Sequence, residues 1–357
     1  MLPQSVRESA PPRPEHRLGG AERRGKVTIA AIAKESGLSV ATVSKVLNGR
    51  PDVADETRSR VQELIVRHGY RRRSSPSSET SSPVIDVVFE TFDSPWAVEI
   101  VRGAVAAAQG EGLTVALTSL EEGDERRIWF DHITSRGTRG VILLLSQLTE
   151  SQRGELHSRR LPFVVIDPRG EPGPHVSYVG ATNWAGGLSA TRHLVELGHE
   201  QIAVIGGPAD LLCSRARIDG YRAALETAGI FIGDSLVACG DFTVLGGYEQ
   251  ARALLARRDR PTAIFAGSDL QALGVLKAAH EAGLKVPDDV SVVGFDDLPI
   301  ARWSSPALTT VRQPLTEMAA VAVRILLEAG DGGEPTDRRV ELATDLVVRE
   351  STAPRRR

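Results

Sequence analysis

Acidic side chains end several apolar, strand-like runs of this 357-residue chain. Asp167 closes the run PFVVID, Asp269 follows TAIFAGS, and Asp296 follows VSVVGF. Arg217 opens the stretch RIDGY at the start of a predicted helix. Carboxylates and a guanidinium at such positions can hold vicinal hydroxyl groups through paired hydrogen bonds. In open α/β sheets, ligands bind outside the carboxyl ends of the strands, so polar residues that directly follow strands are site candidates.

These candidates depend on an alternation of strands and helices that begins at Val84. We predict strands at 84–89, 113–117, 140–145, 162–167, 201–206, 262–266 and 290–294, and helices at 97–109, 184–197, 217–228, 246–257, 271–282 and 316–327. Regular alternation favours parallel sheets that are covered by helices on both faces. A stretch of about 270 residues exceeds one comfortable domain, so we expect two doubly wound α/β lobes with a cleft between them.

The preceding residues, 27–70, form a pattern typical of a small all-α unit. Thr28 can cap a first helix, Gly37 supplies a tight turn, and Ser39 can cap a second helix. A third helix is predicted at roughly 55–68. One face of the second helix presents small, hydroxylated and basic side chains, which suit close approach to a DNA groove: Val40, Ala41, Ser44 and Lys45. The pattern alone leaves a short helical bundle without a DNA role as the alternative.

The motifs in this unit narrow that choice. One segment of the chain closely resembles the DNA-binding head of the lactose-repressor/galactose-repressor (LacI/GalR) family: TIAAIAKESGLSVATVSKVLNGRPDVADETRSRVQELIVRHGY. Within it, the motif GLS-x-x-TVS-x-VLN is in register with the family pattern. The likeness continues through HLVELGHEQIAVIGGP, SRARIDGYRAAL, SDLQALG and VPDDVSVVGFDDLPIARWSSPALTTVRQP. It covers nearly the whole body of the chain. The resemblance implies a helix-turn-helix head joined to a periplasmic-binding-protein-like sensor of two doubly wound parallel-sheet lobes.

By this resemblance, the second helix lies in the major groove of DNA. Its base-reading positions are Val40, Ala41 and Lys45, and hydrogen-bonded readout rests mainly on Lys45. The phosphate-contacting positions are Ser39, Thr42, Ser44 and Asn48. The predicted DNA-binding set also includes Thr28 and three arginines that follow the head: Arg71, Arg72 and Arg73.

The linker departs from the family pattern. Members usually continue from Gly-Tyr into Pro-Asn and a hinge helix whose leucine enters the minor groove. Here residues 71–83 read RRRSSPSSETSSP, without a leucine. One hypothesis is that the three arginines form a basic arm on phosphates or in a narrow minor groove. The alternative is a charged run that only solubilises a flexible linker.

The resemblance also assigns the strand-end residues. Asp167, Arg217, Asp269 and Asp296 match positions that hold a sugar in family members, and three aromatic residues could stack on the apolar face of the sugar: Phe92, Trp96 and Phe242. Core packing is the alternative for the aromatic residues, and Asp269 could instead cap a helix. Ser268 stands where many members have Asn, and Leu144 stands where others have a polar residue. A pentose, a glucoside and a plant-polysaccharide oligosaccharide all remain open, and a purine is less favoured.

Composition and charge limit the other classes. Residues 1–73 carry a net charge of +7 and the remainder −10, which indicates that only the head meets a polyanion. The sequence contains no apolar run of about eighteen residues, so we do not predict a membrane span. Residues 1–26 read as a disordered leader without the apolar core of a signal peptide. With two cysteines, Cys213 and Cys239, neither a disulfide framework nor a zinc finger is expected, and we predict reduced thiols in a cytoplasmic protein.

Two rival classes fit less well. An extracytoplasmic solute-binding protein would need a signal peptide and would lack the head. A nucleotide-dependent enzyme would need a phosphate-binding glycine-rich loop, and VIGGPADL at 204–211 is not GxGxxG. No nucleophile elbow or metal cluster is visible, so we expect no catalysis, cofactor or metal.

The resulting prediction is a homodimeric repressor on a pseudo-palindromic operator, released when a sugar closes the cleft. The sequence does not decide whether the ligand instead strengthens operator binding (corepression), whether the protein is a dimer or a tetramer, or which operator sequence it binds. The predicted domains are the leader 1–26, the head 27–70, the linker 71–83, the ligand-binding and dimerisation domain 84–350, and a basic tail 351–357.

Overall fold

The computed structural model describes residues 29–47, 54, 57, 60, 61, 64, 83–89, 94–119, 133, 136–231, 233–330 and 337–356. The chain divides into two compact units, Met1–Ser77 and Ser78–Arg357, and the division falls inside the predicted linker. Several predictions lie outside the described residues: the leader, nearly all of the linker, and Thr28, Asn48, Arg71, Arg72, Arg73 and Phe92.

In the first unit, helix α1 (Ile29–Ser36) and helix α2 (Val40–Leu47) are joined by a tight turn. The turn passes through Gly37, whose φ of +69° is a left-handed conformation that favours glycine. Ser39 caps α2, because its Oγ accepts a hydrogen bond from the backbone N of Thr42 at 3.1 Å. The predicted cap of the second helix at Ser39 and the predicted turn at Gly37 are therefore confirmed.

Apolar residues from three segments form the small core of this unit. Its buried members are Ala33, Val43, Val46, Val61 and Leu64. The last two are helical, as are Thr57 and Arg60, within the range predicted for the third helix. A helical unit this small is stabilised by packing its apolar faces together rather than by helix propensity.

The second unit consists of two lobes, each built on a six-stranded sheet. Its strands, numbered in chain order, are β1 Val84–Phe89, β2 Thr114–Ser119, β3 Thr138–Leu144, β4 Phe163–Ile166, β5 Ser177–Ala181, β6 Ile202–Gly206, β7 Val237–Cys239, β8 Ala263–Ala266, β9 Ser291–Asp296, β10 Thr309–Arg312, β11 Arg339–Leu342 and β12 Asp345–Val347. Its helices are α3 Pro95–Gly110, α4 Glu150–Ser158, α5 Asn183–Glu196, α6 Leu212–Thr227, α7 Val244–Leu255, α8 Asp269–Glu281, α9 Pro299–Trp303 and α10 Leu315–Gly330.

The amino-terminal lobe has the strand order β11-β5-β4-β3-β1-β2, and all of its pairings are parallel. Helices α3 and α10 cover one face of the sheet, and α4 covers the other. The carboxy-terminal lobe has the order β12-β10-β9-β8-β6-β7, in which only the β12 pairing is antiparallel. Helices α5 and α6 cover one face, and α7 and α8 cover the other. The predicted pair of doubly wound lobes is confirmed.

Close packing of α5 on α6 depends on two glycines. A Cβ on Gly187 would lie 2.2 Å from the carbonyl oxygen of Arg217, and one on Gly220 would lie 2.1 Å from the carbonyl oxygen of Trp184. Neither distance is compatible with a side chain, so the two backbones approach each other only because these positions lack one. This contact holds the backbone of Arg217, in the second turn of α6, against α5.

The chain passes between the lobes three times, at Thr182, near Gln313 and at Thr344. We call these three segments the hinge. The backbone N of Thr344 donates to Oγ1 of Thr182 at 3.0 Å, and the backbone N of Thr182 donates to the carbonyl oxygen of Leu342 at 2.8 Å. The first and third crossings are therefore bonded to each other.

The end of the chain, predicted as a basic tail, is hydrogen-bonded to the carboxy-terminal lobe over its described residues. Residues 351–356 pack on the carboxy-terminal lobe, where Ser351 is fully buried and its Oγ donates to the carbonyl oxygen of Val292 at 2.6 Å. The backbone N of Arg355 donates to the carbonyl oxygen of Leu197 at 2.9 Å. The basic composition of this segment did not predict these contacts with the lobe.

Candidate functional site

A cavity of about 430 Å³ lies between the lobes at the carboxyl ends of their strands. We call it the cleft cavity. The amino-terminal lobe lines it with Ser94, Trp96, Leu145 and Asp167, and the carboxy-terminal lobe lines it with Cys213, Arg217, Phe242, Ser268, Leu270, Asp296 and Leu298. Its walls combine apolar surface with a few charged groups, as small-molecule sites do.

Arg217 is the central cation of the cavity. It is 4% exposed, and its Nη1 donates to the carbonyl oxygen of Gly267 at 2.6 Å. Its Nε donates to Oδ1 of Asn183 at 2.9 Å, and Nη1 lies 3.8 Å from Oδ1 of Asp296. A buried guanidinium held by several acceptors keeps a fixed direction, which suits hydrogen bonding to a ligand.

Aromatic rings flank this guanidinium. Its Cζ lies 3.8 Å from the ring centroid of Phe295 and 5.4 Å from that of Phe242. Such cation–π contacts stabilise the buried charge. The Phe242 ring in turn lies over Gly207, where a Cβ would come within 2.2 Å of the ring. Phe242 is therefore part of the cavity wall, with the glycine giving it room.

The two carboxyls of the cavity have raised pKa values. Burial raises the pKa of Asp167 to about 6, although the Arg217 charge and a hydrogen bond from Asn183 oppose the shift. Burial likewise raises the pKa of Asp296 to about 7, against the opposing effects of Arg217 and of a hydrogen bond from Gln313. Desolvation disfavours the charged carboxylate, so both groups change protonation near neutral pH. Perturbed acids in a cleft are typical of functional sites.

Asp269 does not lie in the cavity lining. Its Oδ1 accepts from Oγ1 of Thr310 at 2.5 Å, and its Oδ2 accepts from the backbone N of Leu298 at 2.7 Å. The carboxyl occupies the space beside Gly294, where a Cβ would meet it at 2.4 Å. The geometry does not support the predicted ligand contact of Asp269, because both oxygens bind within the lobe. Ser268, the preceding residue, caps α8 through the backbone N of Gln271 and lines the cavity.

Strained backbone is concentrated at this edge of the sheets. Leu145, Asp167, Phe242, Asp296 and Asp297 have φ values of 47°, 49°, 63°, 112° and 55°. Non-glycine residues rarely adopt positive φ, and such strain persists where the surrounding structure holds it. The first four of these residues line the cleft cavity, so the strained backbone lies in the wall of the cavity.

The two charged residues that the carboxy-terminal lobe contributes to the cleft cavity, Arg217 and Asp296, are hydrogen-bonded to residues at or next to the hinge. Arg217 binds Asn183, which follows the first crossing, and Nε2 of Gln313, at the second crossing, donates to Oδ1 of Asp296 at 2.6 Å. Each of these charged groups is therefore hydrogen-bonded to a residue at or next to a crossing between the lobes.

The structure brings together most of the residues predicted for ligand binding. Trp96, Asp167, Arg217, Phe242 and Asp296 line one cavity, and their roles in binding stay predictions. Leu144, which stands where other family members have a polar residue, packs in the core. The next residue, Leu145, lines the cavity instead. Sequence reasoning missed several lining residues, most of them apolar or small, which carry no chemical signal: Ser94, Leu145, Cys213, Leu270 and Leu298.

The other predicted surface lies on α2 and at its start. Val40 is 48% exposed, Ser39 and Lys45 are exposed, and Thr42 is partly buried. Ala41 and Ser44 also lie on this helix. Exposure at the start of α2 is compatible with entry into a major groove, and the individual base and phosphate contacts stay predictions.

Sequence comparison relates both units to known proteins. Residues 28–73 match the profile of bacterial regulatory proteins of the lacI family, and residues 191–352 match a periplasmic binding protein-like domain. The HTH-type transcriptional regulator CelR of Thermobifida fusca is 35% identical over 338 residues, which span 92% of this chain and 99% of CelR. The chain belongs to the LacI family of bacterial regulatory proteins.

Solved structures of the LacI family agree. A CelR–cellobiose complex has a TM-score of 0.70 at 34% identity and covers 91% of this chain and 99% of its own. A lac repressor dimer bound to operator and the anti-inducer ONPF also has a TM-score of 0.70, at 25% identity, and covers 92% and 100%. This LacI-family protein is a DNA-binding transcription regulator, as predicted. Among its described residues, no helix has the length and apolar character to cross a membrane.

Proposed function

We propose that this LacI-family regulator is a repressor whose operator affinity is controlled by a neutral sugar bound in the cleft cavity. The observation that carries the proposal is the buried group of Arg217, Asp167 and Asp296, set against the aromatic rings of Trp96 and Phe242. Charged donors and acceptors can hold vicinal hydroxyls, while the rings cover the apolar face of a sugar. The cellobiose bound by CelR and the 35% identity to that protein support the same ligand class.

The hydrogen-bonding roles follow from the chemistry of each group. Arg217 donates to ring or hydroxyl oxygens, and ionised Asp296 and Asp167 accept from hydroxyl groups. Ser268 adds a hydroxyl at the start of α8. A sugar would replace solvent around these groups, and its several hydroxyls would satisfy them from both lobes at once.

Ligand binding would reach the DNA-binding unit through the hinge. A sugar that contacts Asp167 on one lobe and Arg217 and Asp296 on the other favours a closed cleft. Control requires that the ligand binds the two states with different affinity. The bonds from Arg217 to Asn183 and from Gln313 to Asp296 couple that closure to two of the three crossings.

The assembly in this proposal is a homodimer that binds a pseudo-palindromic operator in the cytoplasm. Two heads related by a two-fold axis match two half-sites about one helical turn apart. The lac repressor, seen as a dimer on its operator, is consistent with this arrangement. Catalysis forms no part of the proposal, since the relatives are regulators.

Fluorescence anisotropy tests the proposal. The full-length protein is titrated onto labelled DNA flanking its own gene, with and without a panel of mono- and oligosaccharides. We expect tight, salt-sensitive binding that one sugar weakens. The Arg217→Met variant should bind the same DNA but lose the response to that sugar.

Two other outcomes of the anisotropy experiment would change the proposal. Stronger DNA binding with a sugar would reverse the sign to corepression and keep the sugar site. Binding that no sugar changes would overturn the sugar-effector proposal, while family membership would stand.

A further inference from the structure

A short contact joins the two lobes at residues that belong to none of the three crossings. Arg169 and Gly170 of the amino-terminal lobe lie against Asp210 and Leu211 of the carboxy-terminal lobe, and we call these four residues the strap. The backbone N of Gly170 donates to the carbonyl oxygen of Asp210 at 3.0 Å. Arg169 and Leu211 form a single antiparallel β-bridge. The strap therefore links the lobes through the backbone.

An ion pair adds to this backbone contact. Nη1 of Arg169 lies 3.2 Å from Oδ2 of Asp210, and the two side chains are 36% and 55% exposed. An exposed pair of this kind contributes only modestly to folding, because water and salt screen the charges. A modest free energy is nevertheless enough to change the balance between an open and a closed cleft severalfold, since that balance is itself a small free-energy difference.

Each side of the strap is anchored in its own lobe. The backbone N of Arg169 donates to the carbonyl oxygen of Ser146, just beyond β3, at 3.2 Å. Leu211 is 2% exposed, and its carbonyl oxygen accepts from the backbone N of Arg215 in the first turn of α6 at 3.2 Å. Because both segments are fixed to their lobes, the contact between them depends on how closely the lobes approach each other.

The strap is close in sequence to residues that line the cleft cavity. Asp167 precedes Arg169 by two residues, and Cys213 follows Leu211 by two. Neither Arg169 nor Asp210 belongs to the described lining of the cavity. These two residues can therefore act on a ligand only through the positions of the segments that carry Asp167 and Cys213.

We propose that the strap holds the cleft closed over a bound effector, with Arg169 and Asp210 as positioning residues. The strap forms when the lobes approach and breaks when they separate, so it slows release of the effector without touching it. Because the pair is exposed, high salt weakens this effect. The inference rests on the proposed sugar-effector function for the nature of the ligand, whereas the contact between the lobes needs no ligand.

Charge reversal in the full-length protein tests the inference. The variants are Arg169→Asp, Asp210→Arg and the double variant that carries both changes, which restores an ion pair in the opposite order. The matched control is the same set of changes at Arg222 and Asp219, whose pair is also exposed and also 3.2 Å long but lies within α6. Thermal melts verify that every variant is folded.

The first measurement is amide hydrogen exchange of the protein without ligand, followed by mass spectrometry. Peptides that contain Gly170 should exchange at least about threefold faster in Asp210→Arg, because the amide loses its protection when the lobes separate. The double variant should return toward the wild-type rate, and the control set should not change it. Unchanged exchange in Asp210→Arg, or a double variant that exchanges as fast as the single variants, would overturn the inference.

The second measurement is the dissociation rate of cellobiose, the sugar bound by CelR, followed by stopped-flow tryptophan fluorescence. Both single variants should release cellobiose at least about threefold faster with little change in the association rate, and the double variant should restore slow release. The difference should shrink in about 1 M NaCl.

The two measurements separate this inference from the function on which it rests. Release that is unchanged in the single variants, or equally faster in the control set, would overturn the role of the strap in holding the effector. If the wild-type protein binds no cellobiose, that result counts against the proposed ligand, and hydrogen exchange alone decides whether the strap holds the lobes together.

Discussion

Nε of Arg217 donates to Oδ1 of Asn183 at 2.9 Å, so the cation of the cleft cavity is bonded to the first residue of the helix that leaves the hinge. Asn183 also donates from Nδ2 to the carbonyl oxygen of Ala181, at the end of the preceding strand. The side-chain amide of Asn183 therefore connects the first crossing between the lobes to Arg217 of the cleft cavity.

Asn183→Ala should weaken effector binding about tenfold, because the guanidinium loses the acceptor that holds its direction. Operator affinity without effector should stay within about twofold, since the DNA-binding unit is untouched. Calorimetry and anisotropy measure the two quantities separately. An unchanged effector affinity would show that Gly267 and the aromatic rings orient Arg217 without help.

Asp296→Asn should stabilise the protein at pH 8 while weakening effector binding. The pKa of Asp296 is raised in the folded state from 3.8 to about 7, so the folded state binds the proton more tightly than the unfolded state. The contribution of this group to stability is therefore lost as the pH rises from about 4 to about 7. The Asn side chain has no such proton. Melting temperatures of the variant and the wild type should diverge through this window and run parallel above it.

His199 should make the carboxy-terminal lobe sensitive to acid. Its ring binds Oγ1 of Thr262 at 2.9 Å and the carbonyl oxygen of Ala353 at 3.0 Å, and burial lowers its pKa. A lowered pKa means that the folded state favours the neutral ring, so this stability is complete above about pH 6.5 and is lost as the pH falls below it.

The measurement is a comparison of melting temperature against pH for the wild type, His199→Asn and the exposed-residue control His280→Asn. Only His199→Asn should show a reduced loss of stability between pH 7 and pH 5. A control that behaves like His199→Asn would assign the acid sensitivity to histidines in general.

Gly220→Ala should destabilise the sensor unit by about 2–4 kcal/mol. The new Cβ would lie 2.1 Å from the carbonyl oxygen of Trp184, and two packed helix backbones cannot separate without losing core contacts. The matched control is Gly154→Ala on α4, where a Cβ meets nothing within 4 Å. That change should stabilise by about 0.5–1 kcal/mol through helix propensity. Urea unfolding measures both, and equal effects would argue against tight packing of α5 on α6.

Lys45→Ala should weaken binding to the cognate operator by about tenfold or more and binding to random DNA far less. A base-edge contact contributes to discrimination, whereas a phosphate contact contributes equally on every sequence. Lys34→Ala, on the last turn of α1, is the control. Equal losses on both DNAs would place Lys45 on a phosphate.

The strands that sequence patterns predicted and those they missed differ in composition. All seven predicted strands exist, with bounds shifted by at most two residues, because most of them are continuous apolar runs in parallel sheets. The five missed strands are short and include TTVR, RVEL and DLV. Three of them, β7, β11 and β12, lie at sheet edges, where burial is partial and the apolar signal is weak.

Missed helices have a similar explanation. Helix α4, ESQRGELHS, buries Leu156 alone, and α9 spans five residues, so neither carries a helical period of apolar residues.

Asp269 shows where local rules fail at the site. It follows a buried strand, as Asp167 and Asp296 do, but its partners Thr310 and Leu298 lie 41 and 29 residues away in sequence. Nothing in the local pattern distinguishes a carboxyl that faces a cleft from one that binds within its lobe. The strand-end rule locates the correct edge of the sheet, and only tertiary contacts separate the two roles.

The two lobes contribute unequally to the cleft cavity. Among the described lining residues, the amino-terminal lobe supplies one ionisable group, Asp167, and the carboxy-terminal lobe supplies Arg217 and Asp296 together with Phe242. An incoming ligand would therefore dock first on the carboxy-terminal lobe and meet Asp167 only as the cleft closes. In kinetic terms, we expect substitution of Arg217 to change mainly the association rate of the ligand and substitution of Asp167 to change mainly its dissociation rate.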